Sequence, residues 1–181
     1  MSISNLTTFF MGGVFSAFYK PILLLGYKNN IWNLYDSYHN RGAKYWKQKV
    51  WNTYMRKNAA SISIDAKFAS RPILPHGVSG IFITQSATIG RNAVIFQQVT
   101  IGVNTIIGSK SYGAPTIGDN VYIGAGAKII GSANIENNVR IGANAVVTQH
   151  ISANSVVVSE SVRVIHSDKE LNNKFYPSLI K

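Results

Sequence analysis

The sequence predicts a mainly β protein, a left-handed parallel β-helix solenoid preceded by an α-helical segment. Two observations carry this. Isoleucine stands at 83, 89, 95, 101 and 107, and again at 117, 123, 129, 135 and 141 with Val147 after it, so two registers repeat every six residues. The first sixty residues lack that period and instead place apolar and aromatic residues three and four apart.

A six-residue period suits neither a helix nor simple strand alternation. It suits a triangular coil in which each face sends one aliphatic side chain inward, with about eighteen residues per turn. Ile and Val are mid-sized and stack on their equivalents one coil away. Glycine follows the aliphatic residue at 90, 102, 108, 118, 124 and 142, and small residues recur two places beyond it, as at Ala125, Gly131 and Ala143. Asn92, Asn120, Asn138 and Asn144 fit tight corners because Asn, like Gly, tolerates positive φ. An earlier coil contains Ile62, Phe68 and Leu74.

The two registers are offset between 107 and 117, which predicts about four extra residues near Ser109–Pro115, a stretch of loop composition. A second break lies around Pro75–Gly80. Interruptions of a solenoid are the natural places for function, since the coils are occupied with packing. The organisation expected is a helical segment over 1–59, a β-helix over 60–165 and a tail over 166–181. Trp32, Tyr35, Tyr38, Tyr45, Trp46, Trp51 and Tyr54 mark the helices, which would cover the otherwise unpaired strand edges of the first coil.

Composition narrows the function classes. Of 181 residues, 46% are hydrophobic and 14% charged, enough apolar material for a core. There is no cysteine, which excludes disulfides, zinc–thiolate sites and thiol nucleophiles. The formal net charge is +11, and residues 1–60 hold eight Lys or Arg against one Asp, with thirteen of the twenty aromatics. Such a segment is a solvated cap with buried rings, or meets an anionic polymer or membrane surface. No nucleic-acid signature accompanies it. The apolar stretch Phe9–Leu25 is interrupted by Gly12, Gly13, Lys20 and Pro21, too short and broken to span a bilayer. It also lacks the flanks of a signal peptide. A peripheral membrane contact and a cytoplasmic location, at the inner face of the membrane, are the expectations.

The run His76-Gly77-Val78-Ser79-Gly80-Ile81-Phe82-Ile83 is followed by Ile95-Phe96-Gln97-Gln98-Val99-Thr100-Ile101-Gly102. Pro115-Thr116-Ile117-Gly118-Asp119-Asn120-Val121-Tyr122-Ile123-Gly124-Ala125-Gly126-Ala127 and Ile141-Gly142-Ala143-Asn144-Ala145-Val146-Val147-Thr148 continue it. Over residues 60–165 this resembles the serine acetyltransferase branch of the hexapeptide acyltransferases, most of all its polysaccharide-biosynthesis members. The resemblance implies a homotrimer with sites between neighbouring solenoids and acetyl-CoA as acyl donor. It places the catalytic histidine at His76, as general base toward an acceptor hydroxyl; imidazole suits this because it titrates near working pH. It assigns Gly102, Ala125, Ala143 and Thr148 to acetyl-CoA, small residues beside which an extended pantetheine arm can lie. His39, His150 and His166 lack the context of His76 and read as structural, although His150 could touch CoA. Gln149 stands where related sugar acetyltransferases often carry Lys. No histidine cluster at coil spacing accompanies His76, so no metal is expected.

Two departures shape the acceptor expectation. The aspartate that serine acetyltransferases pair with their histidine falls on Ser61, with Asp65 the nearest acid. The aspartate before the histidine and the Arg-His pair in the extra loop fall on Pro75, Gly113 and Ala114. Loss of that guanidinium, which would grip a carboxylate by two parallel bonds, argues against an amino-acid acceptor. The resulting expectation is an O-acetyltransferase of a sugar hydroxyl in capsule or surface-polysaccharide synthesis, with Lys110 and Tyr112 touching the saccharide and the basic N-terminal third favouring an anionic polymer or the membrane surface. A serine O-acetyltransferase and a non-catalytic solenoid scaffold are the alternatives.

Overall fold

The computed structural model describes residues 30–40 and 44–159. The Phe9–Leu25 stretch, His166 and the 166–181 tail lie outside the described residues. Two helices open the described chain, α1 (Ile31–Asn40) and α2 (Lys44–Lys57). Asn30 caps α1, its Oδ1 accepting from the Trp32 amide at 3.0 Å. Among the described residues no helix is long and apolar enough to cross a membrane.

The rest is a left-handed parallel β-helix with three faces. The first face stacks β1 (Ser61–Ile62), β3 (Phe82–Ile83), β6 (Thr100–Gly102), β9 (Lys128–Ile130) and β12 (Val146–Val147). The second stacks β2 (Lys67–Phe68), β4 (Thr88–Ile89), β7 (Thr116–Ile117) and β10 (Asn134–Ile135). The third stacks β5 (Val94–Ile95), β8 (Tyr122–Ile123), β11 (Arg140–Ile141) and β13 (Val156–Val157).

The isoleucine rungs are in register from coil to coil: Ile62, Ile83, Ile101, Ile129 and Val147 stack on the first face. They are buried, as are Ile89, Ile95, Ile117, Ile123, Ile135 and Ile141. Burying one such side chain stabilises by about 1.5–3 kcal/mol. The residue two places before each rung also points inward. Before Ile117 it is Pro115, and elsewhere it is small or β-branched (among them Ala87, Ala93, Val99, Val121, Ala127, Ala133, Val139 and Ala145) because the corner leaves little room. The coils approach closely elsewhere too: a Cβ on Gly118 would stand 2.5 Å from Asn137 Oδ1 and 2.9 Å from the Glu136 carbonyl carbon.

Between the second and third faces the corners are turned by Asn92, Asn120, Asn138 and Asn154, with φ of 56°, 56°, 61° and 60°. Their side-chain amides form a ladder, Asn92 donating to Asn120 at 3.0 Å, Asn120 to Asn138 at 3.2 Å and Asn138 to Asn154 at 3.2 Å. Asn144, with φ 57°, turns the corner between the third and first faces.

Ile107 is the departure from the predicted rungs. It is 91% exposed and Ile106 is 70% exposed. Twenty-eight residues separate Ile101 from its partner Ile129, against eighteen between Ile83 and Ile101, so ten residues leave the coil rather than four. The coil stops at Gly102, and Ile117 takes the next rung. Asn104 and Gly113 close the excursion by exchanging backbone hydrogen bonds of 2.8 and 3.0 Å. The Asn104 side chain braces it from within, donating to Ser109 Oγ at 3.0 Å and Ser111 Oγ at 2.9 Å.

The two helices seat on the first coil and satisfy its open carbonyls. Trp51 Nε1 donates to Ile62 O at 2.6 Å, His39 Nε2 to Ile64 O at 2.9 Å and Tyr35 Oη to Ala66 O at 2.6 Å. Three ring donors thus take alternate carbonyls that no preceding coil can reach. The rings of Trp32, Tyr35, Trp51 and Phe68 pack at centroid distances of 5.2–6.0 Å. Arg71 ties β2's trailing turn to α1 by an ion pair with Asp36 and a 2.9 Å bond to Asn33.

Candidate active site

His76 lies in the second interruption. Twenty-one residues separate Ile62 from Ile83, so three extra residues enter the corner between the third and first faces. They form two turns, Gly77 N donating to Leu74 O at 3.0 Å and Ile81 N to Val78 O at 3.0 Å. Gly77 (φ 65°) and Gly80 (φ 64°) supply the left-handed residues that such consecutive turns need. The imidazole is exposed, and its ring stands 5.7 Å from Phe96, which in turn stands 5.2 Å from Tyr122. Among the described residues it has no hydrogen-bond or ion-pair partner.

No acid orients this histidine among the described residues. Asp65 is taken by the cap, its Oδ1 accepting from Tyr38 Oη at 3.1 Å. Ser61, on which the aspartate of serine acetyltransferases falls, faces a groove of about 590 Å³ between α2 and β1, lined also by Tyr45, Lys49 and Arg56. That groove belongs to the cap and not to the turn of His76.

The corner below His76 continues through the coils. Ser79 O accepts from Gln98 N at 3.1 Å, Gln97 O from Gly126 N at 3.0 Å and Ala125 O from Asn144 N at 2.8 Å. Ser79, Gln97, Ala125 and Ala143 therefore occupy equivalent positions in successive coils, on one edge of the solenoid. The position after each is left-handed: Gly80, Gln98 (φ 60°), Gly126 (φ 73°) and Asn144. Gln98 is held there by Lys128, whose Nζ donates to its carbonyl at 2.7 Å. The Gln97 side chain is anomalous. Its Oε1 is sealed from solvent without a hydrogen-bond partner among the described residues. An unpaired buried amide oxygen costs about 1–3 kcal/mol.

Gly102 and Thr148 lie elsewhere. Both stand where the chain leaves the first face toward the second, Gly102 at the end of β6 and Thr148 just after β12. Lys110 and Tyr112 belong to the loop that leaves from that same edge, and both are exposed. The structure thus places His76, Ala125 and Ala143 along one edge of the solenoid and Gly102, Thr148, Lys110 and Tyr112 across the face. At about 3.3 Å per residue the three-residue strand β6 separates the two edges by roughly 10 Å. The sequence reading also missed Phe96, the ring against which His76 rests. Its signal was available: it immediately follows the rung Ile95, where the corner opens.

The other described histidines are engaged. His39 serves the cap, and His150 lies 3.3 Å from Glu136 Oε1 and 3.4 Å from Asn134 Nδ2.

Residues 114–149 match the family described as bacterial transferase hexapeptide (six repeats). The solenoid is thereby similar to hexapeptide-repeat acyltransferases. Within that class the likeness is to serine acetyltransferases. That of Staphylococcus aureus is 42% identical over 103 residues, covering 57% of this chain and 47% of the relative. That of Mycobacterium tuberculosis is 39% identical over 100 residues, covering 55% and 42%. The structure of serine acetyltransferase isoform 3 from Entamoeba histolytica, in complex with cysteine, superposes with a TM-score of 0.61 at 32% identity, covering 75% of this chain and 47% of that one. The chain spans about half the length of the curated relatives it matches.

These relatives overturn the expectation of a sugar hydroxyl as acceptor, and with it the roles in capsule or surface-polysaccharide synthesis and a saccharide or anionic-polymer partner. That expectation rested on Pro75, Gly113 and Ala114 standing where an acid and an Arg-His pair were sought. The structure gives Gly113 another task, closing the loop opposite Asn104 with φ 126°. Gly113 answers to backbone geometry, so its identity is a poor guide to the acceptor.

Proposed function

We propose that this chain transfers the acetyl group of acetyl-CoA to the hydroxyl of L-serine, with His76 as general base. The observation that carries the reading is the placement of His76: an exposed imidazole, without a partner among the described residues, on an extra turn at the edge that holds Ala125 and Ala143. The likeness to serine acetyltransferases favours L-serine as the acceptor. On this reading His76 takes the proton as the acceptor oxygen attacks the thioester carbonyl. The tetrahedral intermediate collapses, the C–S bond breaks, and the imidazolium returns the proton to the departing thiolate.

The pantetheine arm follows the Ala125–Ala143 edge of one copy, and Gly102, Thr148 and the 103–114 loop of a neighbouring copy complete the site. A homotrimer supplies that juxtaposition, since each solenoid presents one edge of each kind to a cyclic neighbour. The catalytic unit spans residues 60–165, and α1 and α2 cap it.

The test is thiol release from acetyl-CoA in the presence of L-serine, for the wild type and His76→Ala. A general base contributes about 10²–10⁴-fold, and a loss of that order is expected. Wild-type turnover that survives the substitution removes His76 from the chemistry. An inactive wild type that also fails to bind acetyl-CoA leaves a solenoid scaffold.

A further inference from the structure

Among the described residues of the His76 corner, Gln97 holds a buried side-chain oxygen without a hydrogen-bond partner. Its carbonyl and backbone are used by the coil stack, Gly126 N donating to Gln97 O at 3.0 Å. Its carboxamide oxygen is not used: Oε1 is sealed and unpartnered among the described residues. The equivalent positions one and two coils further on are Ala125 and Ala143, which carry no polar group. The equivalent one coil earlier is Ser79, three residues past His76. Phe96, the residue before Gln97, packs against the His76 ring. Gln97 therefore stands on the edge between the alanines and the histidine.

From this placement we propose that the Gln97 carboxamide is a positioning residue for acetyl-CoA, pairing with an amide of the pantetheine arm next to the thioester. The inference rests on the reading of His76 and the alanine edge given above. The chemistry is complementary. Pantetheine carries secondary amides, each with one N–H and one C=O, and a carboxamide offers one acceptor and two donors to match them. An arm laid along Ala143 and Ala125 reaches Gln97 next and the imidazole last. Rotation of the side chain out of its sealed pose then gives Oε1 the donor it lacks. A group with that role discriminates acetyl-CoA from acyl thioesters that have no amide beside the sulfur.

The test compares wild type, Gln97→Ala and Gln97→Met in two measurements, titration of acetyl-CoA without acceptor and steady-state turnover with L-serine. Met conserves length and removes the polar atoms, so it guards against a packing defect. Both variants are expected to raise the Kd and KM for acetyl-CoA about tenfold, to leave the KM for serine unchanged and to change kcat less than threefold. The thermal midpoint of Gln97→Met should equal or exceed that of the wild type, because an unpaired buried oxygen is removed. The proposal is overturned if the wild type binds acetyl-CoA and both variants bind it equally well, or if the loss appears only in kcat. Failure of the wild type to bind acetyl-CoA overturns the functional reading, and this proposal with it.

Discussion

Trp51, His39 and Tyr35 close the carbonyls of the first coil, and the ionisable hydroxyl of Tyr35 makes the cap sensitive to alkali. Burial raises the Tyr35 hydroxyl above its ordinary range, as it does Tyr38, where the hydrogen bond to Asp65 adds to the effect. A raised acid favours the neutral form in the folded state. Its contribution to stability is therefore complete below the ordinary tyrosine value of about 10 and is lost as pH rises through the folded-state value. We expect the thermal midpoint to fall more steeply above about pH 10 in the wild type than in a Tyr35→Phe/Tyr38→Phe double variant. Parallel slopes in the two proteins would show that these hydroxyls do not govern alkaline unfolding.

The coil and the loop make opposite demands on isoleucine. Ile117 is a rung, 1% exposed and stacked between Ile89 and Ile135. Ile107 shares its residue type and six-residue spacing from Ile101, yet it stands in solvent. Truncating a buried rung leaves a cavity that coils on either side cannot close, so Ile117→Ala should cost about 2–5 kcal/mol in urea unfolding. Ile107→Ala should lie within about 0.5 kcal/mol of the wild type, as surface changes do. Equal costs would mean that the loop residue is packed against something in solution. The asparagine ladder makes a related point. Corners that need φ near +60° recruit Asn, and stacking then turns isolated corners into a hydrogen-bonded column.

Within one chain the proposed site is divided. His76 with Ala125 and Ala143 occupies one edge of the first face, and Gly102, Thr148 and the loop occupy the other. If neighbouring copies join these edges, two inactive chains should complement each other. One is His76→Ala; the other has residues 105–112 replaced by two glycines. Mixed by unfolding and refolding at equal amounts, they should recover about one quarter of wild-type activity, since one random pairing in four unites an intact histidine with an intact loop. No recovery would place the whole site within a single solenoid.

The repeat was legible because its cause is local: each rung needs one mid-sized aliphatic residue at a fixed interval, and each tight corner needs Asn or Gly. Ile62, Ile83, Ile101, Ile117 and Ile135 are rungs for that reason, and Asn120 and Asn138 are corners. The helical cap was legible from its aromatic spacing, and His76 from its position in a break. Ile107 was not legible, because a periodic residue just past the last paired strand looks the same as one inside it; only the pairing of Gly102 with Ile130 shows where the coil stops. The capping bonds of Trp51, His39 and Tyr35 were equally hidden, since they join residues eleven to thirty-one positions apart. The same holds for the edge shared by Gln97, Ala125 and Ala143. The loop breaks the spacing of eighteen between the first two, and only the stacked backbone restores them to one column.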